Sequence, residues 1–357
     1  MDYFAKNFDD AHIFRMTDDT GMFQHARYSL PDLVEGYTTD DNARALIMAV
    51  MLYERLQKPT YLALVYRYLS FVLHAQNEGG RFRNFMTYNR IFREKEGSED
   101  CFGRCLWALG YVQASSAMPR GITEACTVAV SRALPNISNL EWSRGQAYAL
   151  IGLSFMEGPE VDCLMSALAD SLVNRFAHFA GEKNWWWFED MLTYANAVLP
   201  WSLFAAYRRL GQDRLIHVAR ESLEFLDQVT FYDGCFRPVG CKGWLVRGGR
   251  LARHDEQPIE ACTATMAHLA AYQATGNSKM LELARRGFAW YLGQNSCRES
   301  LIDSETGGCC DGITSDGINR NQGAESIVGY CIAGLALAQH ELVGTEKSLG
   351  LERNVII

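Results

Sequence analysis

Several features that would assign this sequence to a particular class of protein are absent from it. It has no block of basic residues, and its formal net charge is −8, so a nucleic-acid partner, which needs a basic stripe, is not expected. Residues 1–6 lack the basic-then-apolar pattern of a secretory signal. No apolar run is long enough to span a bilayer, residues 45–53 included. We therefore expect a cytoplasmic protein with no membrane partner.

Signs of a disulfide framework, a metal site or a bound cofactor are also lacking. The eleven cysteines are odd in number and scattered, which favours reduced, buried thiols. The pairs Cys235/Cys241 and Cys309/Cys310 do not have the C-x-x-C spacing of zinc sites. There is no glycine-rich phosphate-binding fingerprint and no serine nucleophile elbow. We expect no metal and no cofactor.

What the sequence does contain is a loose repeat. Six polar or acidic clusters are each followed by a run rich in Ala, Leu, Ile and Met, and the clusters begin at Asp40, Glu99, Glu141, Glu189, Glu256 and Gln322. Apolar residues cover nearly every face of each run, which predicts buried helices. Helices with one charged face are predicted between the runs, at residues 59–76, 122–134, 161–178, 214–229 and 278–293. Such helices pack against a core from outside.

The alternation of inner and outer helices predicts the fold. A repeat of this length is typical of a closed or stacked helical array. We predict an all-α protein, an (α/α)6 toroid of six helical hairpins, formed as a single domain by residues 1–357. Either the residues before Asp40 or the C-terminal tail would complete the sixth hairpin. The alternative is an irregular helical bundle.

Three long connections, residues 78–98, 230–255 and 298–321, interrupt the helical pattern. Their glycines, prolines and partial alternation indicate hairpins and turns. Each one joins the end of an outer helix to the start of an inner helix, so in a toroid all three emerge on one face. Long loops in compact domains are usually functional or disordered. We therefore expect the loops and the acidic clusters to converge at one site.

The acidic clusters supply the candidate catalytic residues. A single acid at a helix N-terminus has an ordinary explanation as a cap. A ring of such acids around one cavity also provides the paired carboxyl groups that glycoside hydrolysis requires. The candidates are Asp41, Asp100, Asp190, Glu256 and Glu325. Inverting and retaining mechanisms both stay open, because the sequence does not give the separations.

Aromatic and polar residues beside these acids are candidates for substrate binding. They are His25, Tyr37, Arg44, Tyr88, Trp142, Trp187, Tyr194, His254 and Gln322. Flat apolar rings with polar neighbours suit the C–H faces of sugars. At least one of the three consecutive tryptophans at 185–187 is expected in the core instead.

Three arginines, Arg44, Arg104 and Arg144, lie about one turn into their helices. Each is expected to pair with the acid at the start of its own helix and to lower the pKa of that acid. Glu256 and Glu325 have no arginine at that spacing. A carboxyl group without such a partner can stay protonated near neutral pH, so these two are the first candidates for the proton donor.

Four motifs carry a family resemblance, at residues 36–44 (GYTTDDNAR), 97–100 (GSED), 255–258 (DEQP) and 321–326 (NQGAES). They resemble the six-hairpin glycosidase-like superfamily, and the resemblance extends from about Thr20 to His340. It looks closest to a bacterial group whose members occur alone or attached to glycosyltransferase domains. The resemblance implies an (α/α)6 toroid and a carbohydrate substrate. It implies no particular catalytic pair.

These observations favour a glycoside hydrolase that acts on a short oligosaccharide or glycoside. A phosphorylase would need an anion site, for which Arg81, Arg83 and Arg90 are candidates. A non-catalytic carbohydrate-binding module for a glycosyltransferase is a further alternative. An epimerase, which would use histidines as proton carriers, ranks lower. The oligomeric state stays open.

Overall fold

The computed structural model of the protein describes residues 8–348, which form twelve α-helices. In chain order these are α1 (Ala11–Arg15), α2 (Thr39–Leu56), α3 (Pro59–Ala75), α4 (Glu99–Ala114), α5 (Arg120–Ala133), α6 (Ser143–Leu153), α7 (Pro159–Phe179), α8 (Val198–Leu210), α9 (Asp213–Thr230), α10 (Pro258–Thr275), α11 (Ser278–Ala289) and α12 (Ala324–Ser348). Short 3-10 helices lie after α5, at Leu134–Asn139, and after α7, at Glu182–Asn184.

The even-numbered helices form a closed inner ring. Helices α2, α4, α6, α8, α10 and α12 each pack against the next, and α12 packs against α2. Helices α3, α5, α7, α9 and α11 each pack on the outside of the inner helix that precedes them. The predicted all-α (α/α)6 toroid is confirmed. None of the helices within residues 8–348 combines the length and apolarity that a membrane crossing requires.

The N-terminal segment closes the gap between the last inner helix and the first. The backbone N–H of Met22 donates to the Asn42 side chain of α2, and the N–H of Ala324 at the start of α12 donates to the carbonyl of Gln24. Residues before Asp40 therefore lie between these two inner helices, as one of the two predicted possibilities for the sixth hairpin requires. Residues 349–357 of the C-terminal tail lie outside the described residues.

Local sequence sets where most helices begin. The Thr38 and Ser98 side chains accept the N–H groups of Asp41 and Cys101, so they cap α2 and α4. Proline stands at the start of α3, α7 and α10, where its missing N–H costs no hydrogen bond. For most of the helices, the observed first residue lies within two residues of the predicted start.

Helices α4 and α6 approach each other along a seam of glycines. A Cβ atom on Gly110 would lie 2.5 Å from the carbonyl oxygen of Gly152, and one on Gly103 would lie 2.7 Å from that of Gly145. Real Cβ atoms do not come this close to backbone atoms. The two inner helices can therefore pack at this distance only because these positions lack side chains.

One inner helix begins later than predicted. The cluster at Glu189 was expected to open the helix and to place Tyr194 inside it, but α8 begins at Val198. The backbone at Ala195 has a positive φ of 45°, which is incompatible with a right-handed helix. Glu260, on α10, accepts hydrogen bonds from this turn and holds it open. The prediction for this segment was wrong.

Ten two-residue strands lie in the segments between the helices. They are β1 (Ala26–Arg27), β2 (Leu30–Pro31), β3 (Tyr37–Thr38), β4 (Phe85–Met86), β5 (Met191–Leu192), β6 (Phe231–Tyr232), β7 (Cys235–Phe236), β8 (Leu245–Val246), β9 (Ile313–Thr314) and β10 (Gly317–Ile318). All five pairs are antiparallel: β1–β2, β3–β4, β5–β8, β6–β7 and β9–β10. The predicted hairpins are present as β6–β7 in the second long connection and β9–β10 in the third, and an antiparallel bridge between Met86 and Phe92 closes a turn in the first.

These connections meet at the start of the inner helices. The N–H of Thr39, the first residue of α2, donates to the carbonyl of Asn84, which lies in the first long connection. Glu256, just before α10, pairs with Ile313 of the third connection. The predicted convergence of the loops with the N-termini of the inner helices is present in the structure.

Candidate active site

A cavity of about 270 Å³ opens where α2, α10 and α12 begin. Its wall includes four carboxyl groups, a guanidinium and an imidazole, which belong to Asp40, Asp41, Asp311, Glu325, Arg44 and His25. The cavity therefore combines groups that can carry protons with groups that can hold a fixed charge. Phe85 of β4 adds an aromatic ring that is 44% exposed.

Arg44 joins two of the acids. Its Nη2 donates to Asp41 Oδ1 at 2.7 Å, and its Nη1 donates to Glu325 Oε2 at 3.1 Å. The pairing with Asp41 of the same helix agrees with the sequence analysis. The expectation that this pairing lowers the pKa of the acid was wrong for Asp41, because burial outweighs the charge of Arg44. The expectation that Glu325 lacks an arginine was wrong, because the arginine comes from α2 and not from α12. Both acids therefore contact the two terminal nitrogens of one guanidinium.

Arg104 and Arg144 pair with acids of other segments, which corrects the prediction that each binds the acid of its own helix. Arg104 of α4 donates to Asp40 of α2 at 2.5 Å, and Arg144 of α6 binds Glu189 at 3.0 Å. All three arginines thus link neighbouring parts of the inner ring. The candidate Asp100 instead accepts a hydrogen bond from the Tyr194 hydroxyl at 2.8 Å.

The environments of the cavity acids drive their pKa values apart. Burial, together with the charge of the adjacent Asp40, raises the pKa of Asp41 to about 7. Burial opposes the ionisation of Asp40 as well, but the charges of Arg104 and Arg44 hold its pKa below the usual value. Burial also raises the pKa of Asp311, against the lowering effect of its hydrogen bonds. One cavity thus holds carboxyl groups that favour opposite protonation states.

Asp311 was not among the predicted site residues. Its Oδ1 accepts the Gly323 N–H at 2.7 Å and the Ser326 hydroxyl at 2.6 Å. Both donors lie at the start of α12 beside Glu325, so α12 orients two cavity acids at once. The only signal in the sequence was an acid in a loop expected to face the site. Its neighbour Gly312 indicated no more than a turn.

The other predicted acids lie outside the cavity lining. Glu256 is buried, its Oε2 accepts the Trp290 indole N–H at 2.7 Å, and burial raises its pKa. Asp190 is exposed in the loop before β5, and its carbonyl accepts the Arg247 N–H at 2.8 Å. Of the five predicted catalytic acids, the cavity therefore brings together Asp41 and Glu325.

The predicted aromatic residues occupy several environments. Tyr37 is buried against Phe23 and donates its hydroxyl to Asp18 at 2.6 Å, so it belongs to the core. Trp187 and its neighbour Trp185 are also buried, in accord with the expectation that part of this run is core. Trp142 is 69% exposed at the start of α6.

Tyr88 and Tyr194 are partly exposed on the loop face. The Tyr88 ring stacks on Phe23 at 6.1 Å. The Tyr194 ring lies 6.5 Å from Trp244 and 4.7 Å from the Arg144 guanidinium. Both rings stay candidates for sugar contact, although neither lines the cavity.

The remaining predicted polar residues are divided between the cavity and its surroundings. His25 and Arg44 line the cavity. His254 is exposed outside it. Gln322 is buried, and its amide donates to Asp303 at 2.8 Å and accepts from Thr306 at 2.9 Å. Gln322 therefore supports the loop around Asp311 instead of facing the cavity.

The arginines considered for a phosphate site are engaged elsewhere. Arg81 pairs with Glu96 at 2.9 Å, Arg83 donates to backbone carbonyls of α3, and Arg90 pairs with Asp19 at 2.6 Å. Within residues 8–348, no group of three or more His, Cys, Asp or Glu side chains is arranged to hold a metal ion.

Comparisons with known proteins bear on the fold. No protein-family model matches the chain, and no curated protein matches its sequence. Among solved structures, a cellobiose 2-epimerase from Bacillus thermoamylovorans is similar at 13% identity, covering 95% of this chain and 97% of that one with a TM-score of 0.74. A D-mannose isomerase is similar at 10% identity, 92% and 94% coverage and a TM-score of 0.72.

A GH76 alpha-mannanase from Bacteroides thetaiotaomicron is also similar, at 10% identity, with 87% and 88% coverage and a TM-score of 0.63. These matches extend over nearly the whole of each chain. The protein therefore shares the (α/α)6 six-hairpin fold of these structures.

Proposed function

We propose that the protein is a glycoside hydrolase that acts on a short oligosaccharide or glycoside through carboxyl groups of the cavity described above. One observation carries the proposal: Asp311, a carboxyl group whose pKa is raised by burial, shares one cavity with Glu325, whose carboxyl group is held by Arg44. Glycoside hydrolysis uses two carboxyl groups in one site, of which the one with the raised pKa serves as the acid.

Asp311 is proposed as the proton donor. Its Oδ1 accepts two hydrogen bonds from the start of α12, while burial keeps the carboxyl group protonated to higher pH. The proton would reside on Oδ2 and pass to the glycosidic oxygen as the bond to the anomeric carbon breaks.

Glu325 is proposed as the second carboxyl group. Arg44 Nη1 donates to its Oε2 at 3.1 Å and so fixes the orientation of the carboxyl group. Its other oxygen would take a proton from water that attacks the anomeric carbon, or would attack that carbon itself. Asp41 has Oδ1 bound to Arg44 and Oδ2 bound to the Thr38 hydroxyl, so its proposed role is to orient Arg44.

The cavity volume bears on the substrate. At about 270 Å³ it lies near the lower end of ligand pockets, which begin at about 300 Å³. This volume suits one terminal sugar ring better than a length of polymer. The half-exposed Phe85 ring would offer a flat surface to that sugar. The similar structures, which are named for cellobiose, mannose and mannan chemistry, agree with a carbohydrate ligand.

A sugar epimerase or isomerase is the second candidate. His25 lines the same cavity and interacts electrostatically with Asp311, so the two could move a proton at a carbon next to a carbonyl. The TM-scores of the epimerase and isomerase structures also exceed that of the mannanase. His268, inside α10, binds Asp227 at 3.0 Å outside the cavity lining.

A substrate panel followed by NMR tests the proposal. Manno-, gluco- and galacto-oligosaccharides would be incubated with the protein, with and without phosphate. A shortened sugar formed without phosphate supports hydrolysis. The anomer of that sugar that appears first distinguishes an inverting from a retaining mechanism. Dependence on phosphate would indicate a phosphorylase. Binding without turnover would leave a carbohydrate-binding accessory module.

A further inference from the structure

A strained turn separates β5 from α8. It comprises residues 193–196, and Ala195 within it adopts a positive φ of 45°. A residue with a Cβ atom rarely takes this conformation, and it persists only where surrounding contacts enforce it. The turn is therefore held by something outside itself.

Glu260 provides that restraint from the first turn of α10. Its side chain, in a residue only 5% exposed, accepts the backbone N–H of Ala195. It also accepts the backbone N–H and the side-chain Nδ2 of Asn196, both at 3.3 Å. Three donors thus converge on one group. An ionised carboxyl group, which has acceptors and no donor, satisfies all three. These hydrogen bonds favour the ionised form, while burial opposes it and raises the pKa of Glu260 to about 7.

The other side of the turn faces the charged centre of the ring. Arg144 Nε donates to the Tyr194 carbonyl at 2.5 Å, and its guanidinium lies over the Tyr194 ring. The Tyr194 hydroxyl donates to Asp100 Oδ2 at 2.8 Å. This bond joins the segment before α8 to α4, across the start of α6.

Asp100 in turn belongs to the electrostatic surroundings of the cavity. It interacts with Arg104, which pairs with the cavity residue Asp40 and also interacts with Glu325. The position of the Asp100 carboxyl group therefore affects Arg104, the same residue that interacts with the proposed catalytic acid Glu325.

We propose that Glu260 is a positioning residue of the site: by holding the backbone of Ala195 and Asn196, it keeps the Tyr194 hydroxyl on Asp100. Glu260 does not touch the substrate. It acts through Tyr194 on Asp100, and the charge of Asp100 in turn acts on Arg104, which pairs with the cavity residue Asp40. The expected effect of Glu260 on turnover rests on the proposed carbohydrate function. The expected effect of Glu260 on Tyr194 does not.

The first test observes Tyr194 directly and needs no substrate. The protein would be labelled with 13C at tyrosine Cζ, and the Tyr194 signal would be assigned from its loss in Tyr194→Phe. We expect Glu260→Gln to shift this signal, because the Gln amide would point a donor at the N–H groups of the turn. An unchanged Tyr194 signal in folded Glu260→Gln would overturn the inference.

A matched control is available at the opposite end of the ring. Glu54 is a partly buried carboxyl group on the inner helix α2, where it accepts hydrogen bonds from Ser115 and Tyr111. Glu54→Gln should leave the Tyr194 signal in place. If Glu260→Gln does not fold, it is repeated with Ala195→Gly, because glycine takes a positive φ without an external restraint.

The second test uses a double-mutant cycle. Glu260→Gln and Tyr194→Phe should each lower sugar affinity or kcat/KM by about tenfold, the lower end of what loss of an outer-shell support costs. The double variant should lose no more than either single variant, since both break one chain of contacts. Additive losses would overturn the inference. Absence of both binding and turnover in the native protein would refute the proposed function, whereas the tyrosine signal decides the role of Glu260.

Discussion

Arg44 of α2 and Glu325 of α12 form an ion pair with an N–O distance of 3.1 Å, and this pair joins the first and last inner helices at the cavity. The same guanidinium holds Asp41, so the point where the ring closes is also the point where the candidate acids meet. Arg44 therefore contributes both to the closure of the ring and to the arrangement of the candidate acids.

Replacing Arg44 should be costly for stability. In Arg44→Met, Asp41 would be left buried without its charged partner, and loss of one member of a buried pair costs about 3–5 kcal/mol. Denaturant unfolding measures the change. Arg120→Met is the control, because Arg120 and Glu124 form an exposed pair on α5, and exposed pairs contribute about 0–1 kcal/mol. Equal effects of the two substitutions would contradict the clamping role of Arg44.

The role proposed for Asp311 predicts which substrates the Asp311→Asn variant can still cleave. Loss of a general acid slows catalysis by about 10²–10⁴-fold, but an aryl glycoside with a good leaving group needs little protonation. We therefore expect a large loss of kcat on oligosaccharides and a small loss on such an aryl glycoside. Asp316→Asn, an exposed aspartate between β9 and β10, should behave as the native protein. Equal losses of Asp311→Asn on both substrates would exclude Asp311 as the proton donor.

The raised pKa of Asp41 predicts a pH dependence of stability. Its folded-state value of about 7 exceeds the unfolded value of about 3.9. The folded state therefore binds the proton more tightly. The stabilisation is fully present below the unfolded pKa and is lost as pH rises towards and through 7.

Unfolding free energies measured from pH 4 to pH 8 test this dependence. The decrease over this range should be smaller in Asp41→Asn than in the native protein. Glu124→Gln, at an exposed position on α5, serves as the control. Parallel pH curves for the native protein and Asp41→Asn would show that Asp41 ionises normally.

The glycine seam between α4 and α6 gives a prediction about packing. Gly110→Ala would bring a methyl group against the backbone of Gly152, and overpacking of this kind typically costs about 1–3 kcal/mol. Gly121→Ala on α5 meets no atom within 4 Å, and alanine is favoured over glycine in a helix by about 0.5–1 kcal/mol. The thermal unfolding temperature should therefore fall in Gly110→Ala and rise in Gly121→Ala.

The fold was predictable because its signals are local and repeated. Runs that are apolar on every face marked α2, α4, α6, α10 and α12, and caps such as Thr38 and Ser98 lie within a few residues of the helices they start. The start of α8 was not predictable in this way. Its delay depends on Glu260, which lies more than sixty residues beyond the turn that it holds.

The site was predictable only in part, for the same reason. Asp41 and Glu325 were found because they begin inner helices. The partner of Arg104 is an acid of a different helix, Asp40, and the sequence showed only the acid of its own helix. Asp311 becomes a candidate through donors from α12, and nothing in the spacing of a loop residue reveals such contacts.

The most direct test of the proposed activity is an NMR time course of the oligosaccharide panel in D2O. Hydrolysis predicts new reducing-end signals from a shorter sugar, without deuterium on any sugar carbon. The same time course in Glu325→Gln should show little or no product. Deuterium at the carbon next to the anomeric centre, in a sugar of unchanged length, would contradict hydrolysis and indicate an epimerase or isomerase.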